Sequence, residues 1–299
     1  MSLNLHALRT FAAVVDAGGF SRAAASLRLS QPAVSKAVAV LEAEVGVPLL
    51  ERGARGIRLT EAGAALHGRA RELFAVERTA EEELRALRGL ERGVLRVGAS
   101  TTIATYLLPP LLGGFQARHP GVALRVASAN TRAIARALLQ RRLDVALVEG
   151  PLSDTRIAVE PWREDELAVI APPGHPLAGR GAGARGRAVT PASLAGEPFI
   201  SRERGSGTRE VAEAALAAHG VTPRVALTLA STEAVKQAVA AGLGLAIVSR
   251  AAAADQLALG RVVEVTVRGL ELRRAFTLLR LPGRAPSAVG RAFEELLRG

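Results

Sequence analysis

The chain has 299 residues, nearly half of them apolar, a formal charge of +11 and no cysteine. That length exceeds one ordinary core, so two or three domains are expected, and the absence of cysteine excludes disulfides, thiol catalysis and Cys-ligated zinc. The chain does not open on a basic segment followed by an apolar run, and no apolar run reaches the ~18 residues of a bilayer span. The expectation is therefore a cytoplasmic protein without a membrane partner. The charge is uneven: +3 over residues 1–60, −1 over 61–93 and +9 over 94–299. Most of the positive excess thus lies in the larger, C-terminal part, where it serves either an anionic ligand or plain solvation.

Leu5, Leu8, Phe11, Ala12 and Val15 recur at helical spacing, which predicts a helix over residues 4–17 stopped by Gly18-Gly19. Ser21 is read as the cap of a second helix, Arg22–Leu27, and Ser30 as the cap of a third with Pro32 in its first turn. Ala33, Val34, Ala37, Val38 and Leu41 give the third helix an inward face. Its outward face begins with Gln31, Ser35 and Lys36, groups that can bond a base edge or a phosphate. A helix of ~15 residues is ~22 Å long and fits the DNA major groove. Residues 51–59 then read as a glycine-turned hairpin whose Arg52, Arg55 and Arg58 can reach the flanking backbone. Two short helices, a polar turn and a basic hairpin make a DNA-reading module; a helical module for protein contact is the alternative.

These residues carry a family resemblance. Phe11, Ser21, Ala23-Ala24, Leu27, Ser30-Gln31-Pro32-Ala33-Val34-Ser35, Leu41-Glu42, Leu49, Arg52 and Leu59-Thr60-Glu61-Ala62-Gly63 stand in one order. The stretch Leu5 to Gly63 resembles the winged helix-turn-helix of LysR-type transcriptional regulators, with Leu50 where the family usually has Phe. The resemblance implies a DNA-binding regulator acting on an imperfect inverted repeat, a homodimer or tetramer, and RNA polymerase as partner in an activator. It implies DNA contact by Ser21, Ser30, Gln31, Pro32, Ser35, Lys36, Arg52, Arg55 and Arg58.

From Glu61 to about Leu90 there is no proline, and Leu66, Leu73, Ala80 and Leu87 recur every seven residues, with Ala70 and Leu84 in the same stripe. That spacing predicts a linker helix with a coiled-coil seam. Beyond residue 93, short apolar runs alternate with helical segments, the pattern of an α/β fold with mainly parallel sheets. Strands are expected at Val94–Gly98, Val122–Ala127, Val145–Val148, Leu167–Ala171, Val225–Leu229, Leu245–Val248, Val262–Val267 and Ala275–Leu281. Helices are expected at Ile103–Arg118, Ala133–Arg141, Glu210–His219, Glu233–Ala241 and Ser287–Leu297. The resemblance implies that this region is two-lobed, like periplasmic solute-binding proteins, with an effector between the lobes. The expected division is 1–60 winged helix-turn-helix, 61–92 linker helix and 93–299 effector domain, with one lobe at about 93–162 and 268–299 and the other at about 163–267.

Loops after parallel strands meet at one sheet edge, where helix N-termini offer free N–H groups. Ser100-Thr101-Thr102, then Asn130 and Thr131, then Glu149, and in the other lobe Arg202, Ser206, Thr208 and Arg209 stand at such places. Hydroxyls, amides and arginines together suit a carboxylate, sulfur oxyanion or phosphate, although any single Ser or Thr there is as readily a plain N-cap. Glu149 either orders the loops or bonds a ligand donor. Glu149-Gly150-Pro151, Pro173-Gly174-His175-Pro176, the Gly205–Thr208 cluster and Ser231-Thr232-Glu233 resemble the family branch of sulfur-assimilation and carbon-fixation regulators, which implies a small anionic effector. The Gly179–Arg187 stretch is a Gly/Arg-rich loop. No catalytic constellation is present: the five histidines are scattered without metal-ligand spacing, and no nucleophile elbow, phosphate loop or dinucleotide fingerprint occurs. Neither a metal nor an enzyme cofactor is expected.

Overall fold

The computed structural model describes residues 3–53, 56–86, 93–178, 189–283 and 285–299. The chain divides into two compact units, Met1–Glu81 and Glu82–Gly299. Arg55, Leu87 and the Gly179–Arg187 stretch lie outside the described residues.

In the first unit, α1 (Leu5–Ala17) is capped by Asn4, whose side chain accepts from the His6 and Ala7 amides, and Gly18 ends it in the left-handed region. Helix α2 (Phe20–Leu27) begins earlier than the sequence suggested. Gly19 is its cap, with no side-chain bond, and Ser21 lies exposed within the first turn instead of capping it. The apolar Phe20 explains the difference, since it enters the helix and packs on the core. Helix α3 (Gln31–Val45) is capped by the Ser30 hydroxyl and buries Val34, Val38 and Leu41, while Ala33 is exposed. Strands β1 (Leu50–Gly53) and β2 (Gly56–Leu59) form the expected antiparallel hairpin. Glu42 ties α3 to it by accepting from the Leu49 and Leu50 amides at 2.7 and 3.1 Å.

Helix α4 (Glu61–Ala86) departs from a single seam. Ala70 and Phe74 are buried against α1–α3, with Leu66 packed beside them. Leu73, Val76, Ala80 and Leu84 are exposed. The seven-residue stripe therefore splits, because the neighbouring core takes the residues on its side and leaves an apolar row outside. Phe11, fully buried at the centre of this core, is a side chain whose removal costs about 3–5 kcal/mol.

The second unit is a two-lobed α/β fold. In the first lobe β3 (Gly93–Ser100) lies parallel to β4 (Val122–Ala129) and β5 (Val145–Glu149). Antiparallel β11 (Arg273–Arg280) and the first part of β6 (Ala158–Ala171) follow. Successive residues of β5 feed opposite cores: Val145 and Leu147 pack with α5 (Leu108–Arg118) and α10 (Ala288–Arg298), and Ala146 and Val148 with α6 (Thr131–Leu139). The expected helix from Ile103 is a π-helical turn, Ile103–Leu107, followed by α5, which Pro109 helps to start.

Strand β6 runs unbroken through Pro161-Trp162-Arg163, where the expected boundary between the lobes falls. Its second half pairs antiparallel with β9 (Ala246–Ser249) and β10 (Val263–Val265) to open the second lobe. Leu167 and Val169 face one core there, and Ala168 and Ile170 the other. Strand β7 (Pro198–Arg202), not foreseen, lies parallel to β8 (Arg224–Leu229). Helices α7 (Gly207–Ala217), α8 (Thr232–Ala240) and α9 (Arg250–Ala258) cover this lobe. The sheets are thus mixed rather than mainly parallel, because the chain crosses between lobes on the antiparallel pair β6 and β11.

Candidate functional site

On the first unit, Gln31 and Pro32 are exposed where α3 begins, and Lys36 is exposed one turn later, with Ser35 half-buried between. Ser30 is exposed, but its hydroxyl is engaged as the cap of α3. Arg58 is exposed on β2, and Arg52 lies in β1. An outward polar helix start beside a hairpin is thus present.

In the second unit, the expected effector residues fall into two groups. The first is held together by its own bonds, with Arg274 Nη2 left without a hydrogen-bond partner among the described residues. Glu149, buried at the end of β5, accepts from the Ser100 hydroxyl and, at 3.3 Å, from the Thr208 hydroxyl of α7. Its backbone carbonyl accepts from Thr131 at 2.7 Å. Arg274 completes the group: its Nη1 donates to Thr208 at 2.8 Å and lies 3.7 Å from Glu149, while its Nε donates to Asp165 at 2.6 Å. Asp165 also accepts from Ser249, the cap of α9. Gly207 allows this closeness, since a Cβ there would stand 1.8 Å from the Glu149 carbonyl oxygen. Thr208, within the cluster expected to bind an external anion, is therefore engaged by the chain's own carboxylate.

The second group has donors to offer. Thr102, in the first lobe, and Thr232, which opens α8 in the second, are both buried, with hydroxyl oxygens 3.5 Å apart. The Arg202 guanidinium, also buried, donates to Thr232 at 2.9 Å and is held as a fork on Glu203 at 2.8 and 3.1 Å. Beside Thr102, the buried Thr101 hydroxyl has no hydrogen-bond partner among the described residues. Alongside, Tyr106 donates to Glu233 across the lobes at 2.8 Å, and Lys236 lies over the Tyr106 ring. Lys236 is buried and donates to the Ala252 carbonyl, Gln256 and Glu233. Burial and the neighbouring Glu233 push the Tyr106 phenol well above its ordinary range. Burial alone would raise Glu233, but hydrogen bonds from Lys236, Gln237 and Tyr106 outweigh it and hold the carboxyl at about 2.

Other expected residues have local duties. Asn130 caps α6 by accepting from the Ala133 amide. Arg209 is spent on Glu213 and the Arg202 carbonyl. Ser206 is buried at the start of α7 without a side-chain cap bond. Sequence reasoning missed Arg274, Asp165 and Lys236. Their signals are faint: a charged residue on the inward side of an alternating strand, and a lysine between Val235 and Val239 on an apolar helix face. Thr232 entered only within the Ser231-Thr232-Glu233 resemblance, and Ser231 alone caps α8. A hollow of about 430 Å³ lies elsewhere, beside Glu166, Arg250 and Glu264, where Arg250 is already paired to both acids.

Comparison with known proteins gives the family. Residues 5–64 match the family model described as bacterial regulatory helix-turn-helix protein, lysR family, and residues 88–299 match the LysR substrate binding domain. The RuBisCO operon transcriptional regulator of Allochromatium vinosum is 38% identical over 297 residues, 99% of this chain and 96% of that one. The transcriptional regulator CysL of Bacillus subtilis is 34% identical, over 92% of this chain and 90% of its own. The regulatory domain of CcmR from Synechocystis, solved in complex with 2-PG, is 30% identical with a TM-score of 0.63, covering 69% of this chain and 96% of that one. The relatives are named as regulators, and regulators of this family bind DNA and form oligomers. The chain belongs to the LysR family of transcriptional regulators, on the side that includes the RuBisCO operon regulators.

Proposed function

We propose that this regulator's operator binding is modulated by a small anionic metabolite held between the lobes at Thr101, Thr102, Arg202 and Thr232. The observation that carries the reading is the meeting of two buried threonine hydroxyls and a buried guanidinium from opposite lobes. An oxyanion placed there accepts charge-assisted bonds from both sides and stabilises the closed arrangement. A coupling of about 1–3 kcal/mol between effector and operator suffices for regulation. On this reading residues 1–60 contact an imperfect inverted repeat, 61–92 pair protomers through the exposed row on α4, 93–299 sense the effector, and the protein works in the cytoplasm. An activator would engage RNA polymerase as well.

The relative solved with 2-PG makes 2-phosphoglycolate the first probe. A thermal-shift screen of small carboxylates, sulfur oxyanions and phosphorylated acids on the full chain should yield at least one stabilising ligand. That ligand should change the operator gel shift. If no anion raises the melting temperature, the reading of the cleft fails.

A further inference from the structure

We propose that Arg274 is the positioning residue that ties the interlobe cleft to the hinge. The inference takes from the functional reading only that the cleft opens and closes. Arg274 on β11 and Asp165 on β6 are cross-strand partners on the two strands that join the lobes. Both side chains are 2% exposed, and they meet at 2.6 Å. Because they share one ladder, their bond does not depend on the angle between the lobes. The far side of the same guanidinium does. Nη1 holds Thr208, at the start of α7 in the second lobe, and stands 3.7 Å from Glu149, at the end of β5 in the first. Thr208 in turn donates to Glu149. Opening the cleft must pull Thr208 away from both, whereas closing it restores a hydroxyl between a fixed cation and a fixed carboxylate.

The chemistry makes this arrangement two-valued rather than graded. Glu149 and Asp165 are buried carboxylates, and Arg274 is the cation between them. A buried charge that loses a hydrogen-bond partner gains nothing until water enters. Small excursions are therefore disfavoured, and the lobes hold either the closed contact or a hydrated open one. Arg274 does not reach Thr102, Thr232 or Arg202 through any described bond, so it acts on the effector site only by setting the lobe angle.

The chain's 299 residues include no cysteine, so spin labels can be placed without background. Labels at Ala117→Cys on α5 and Ala254→Cys on α9, both exposed, report the lobe separation by pulsed electron paramagnetic resonance. Dilution with unlabelled protein isolates distances within one chain, and no effector is added. The parent should give one narrow distribution. Arg274→Met should broaden it and move it to longer distances, and Arg274→Lys, which keeps the charge but loses the fork, should fall between. Thr208→Val, nearly isosteric, should shift it in the same direction, and it decides the matter if Arg274→Met does not fold. Folded Arg274→Met and Thr208→Val proteins with the parent's distribution would overturn the proposal, even if their melting temperatures fall. Because the measurement needs neither effector nor DNA, a failed anion screen leaves this result standing.

Discussion

The hydroxyl oxygens of Thr102 and Thr232, 130 residues apart in the chain, lie 3.5 Å from each other across the two lobes. Neither threonine hydroxyl makes a capping bond: Thr102 precedes the π-helical turn without one, and Ser231 does that work for α8. Thr102→Val and Thr232→Val should each keep the fold, since valine matches threonine in shape. Each should weaken an anion found in the screen by about 10- to 100-fold, the equivalent of one charge-assisted bond of ~1.5–3 kcal/mol. Isothermal titration of the two variants checks this, and unchanged affinity in both would move the anion elsewhere.

Gly207 stands where α7 meets β5. A methyl group there would sit 1.8 Å from the Glu149 carbonyl oxygen and 3.0 Å from the Thr131 hydroxyl. Gly207→Ala should force the helix start away from the first lobe at a cost of about 1–3 kcal/mol. Its thermal melt should lie several degrees below the parent's; an unaltered melt would mean that the contact carries little.

Glu233 supplies a pH dependence. Its folded carboxyl is held at about 2, below its ordinary 4.5, by Lys236, Gln237 and Tyr106 acting against burial. The folded state therefore binds this proton less readily than the unfolded one. Its contribution to stability is present above pH 4.5 and is lost as the pH falls toward 2. Melts of the parent and of Glu233→Gln over this range should converge with acid. Parallel curves would show that the carboxylate contributes nothing.

Gln31 and Arg58 separate two kinds of DNA contact. Gln31→Ala, at the exposed start of α3, should reduce the preference for the operator over altered sequences by about 1–3 kcal/mol. Arg58→Ala, on the exposed hairpin, should weaken all sequences alike and lower the salt slope by about one. Gel shifts across a salt series distinguish the two, and identical profiles for both variants would reject this division of labour.

The first unit was legible because its signals are local. Ser30 capping, the glycine stop at Gly18 and the apolar spacing of Val34, Val38 and Leu41 each act within a turn or two. The error at Ser21 came from preferring a good capping side chain over the burial of Phe20, and tertiary packing decided it. In the larger unit the runs Val145–Val148 and Leu167–Ala171 were visible, but the direction of β11 was not, because it depends on the chain's path through the second lobe. For the same reason Thr102, Thr208 and Glu149 were found, whereas Arg274, Asp165 and the bond between Thr208 and Glu149 were not. Helix-start chemistry is written locally, but which carboxylate reaches Thr208 is fixed only when β5 and α7 meet.

Strand β6 passes from one lobe to the other without a break, laddered to β11 along its first half and to β9 and β10 along its second. A connection of that kind behaves as a torsion bar and not as a loose tether. It permits twist about its own length, resists sideways shear, and gives the sensor essentially one axis along which to move.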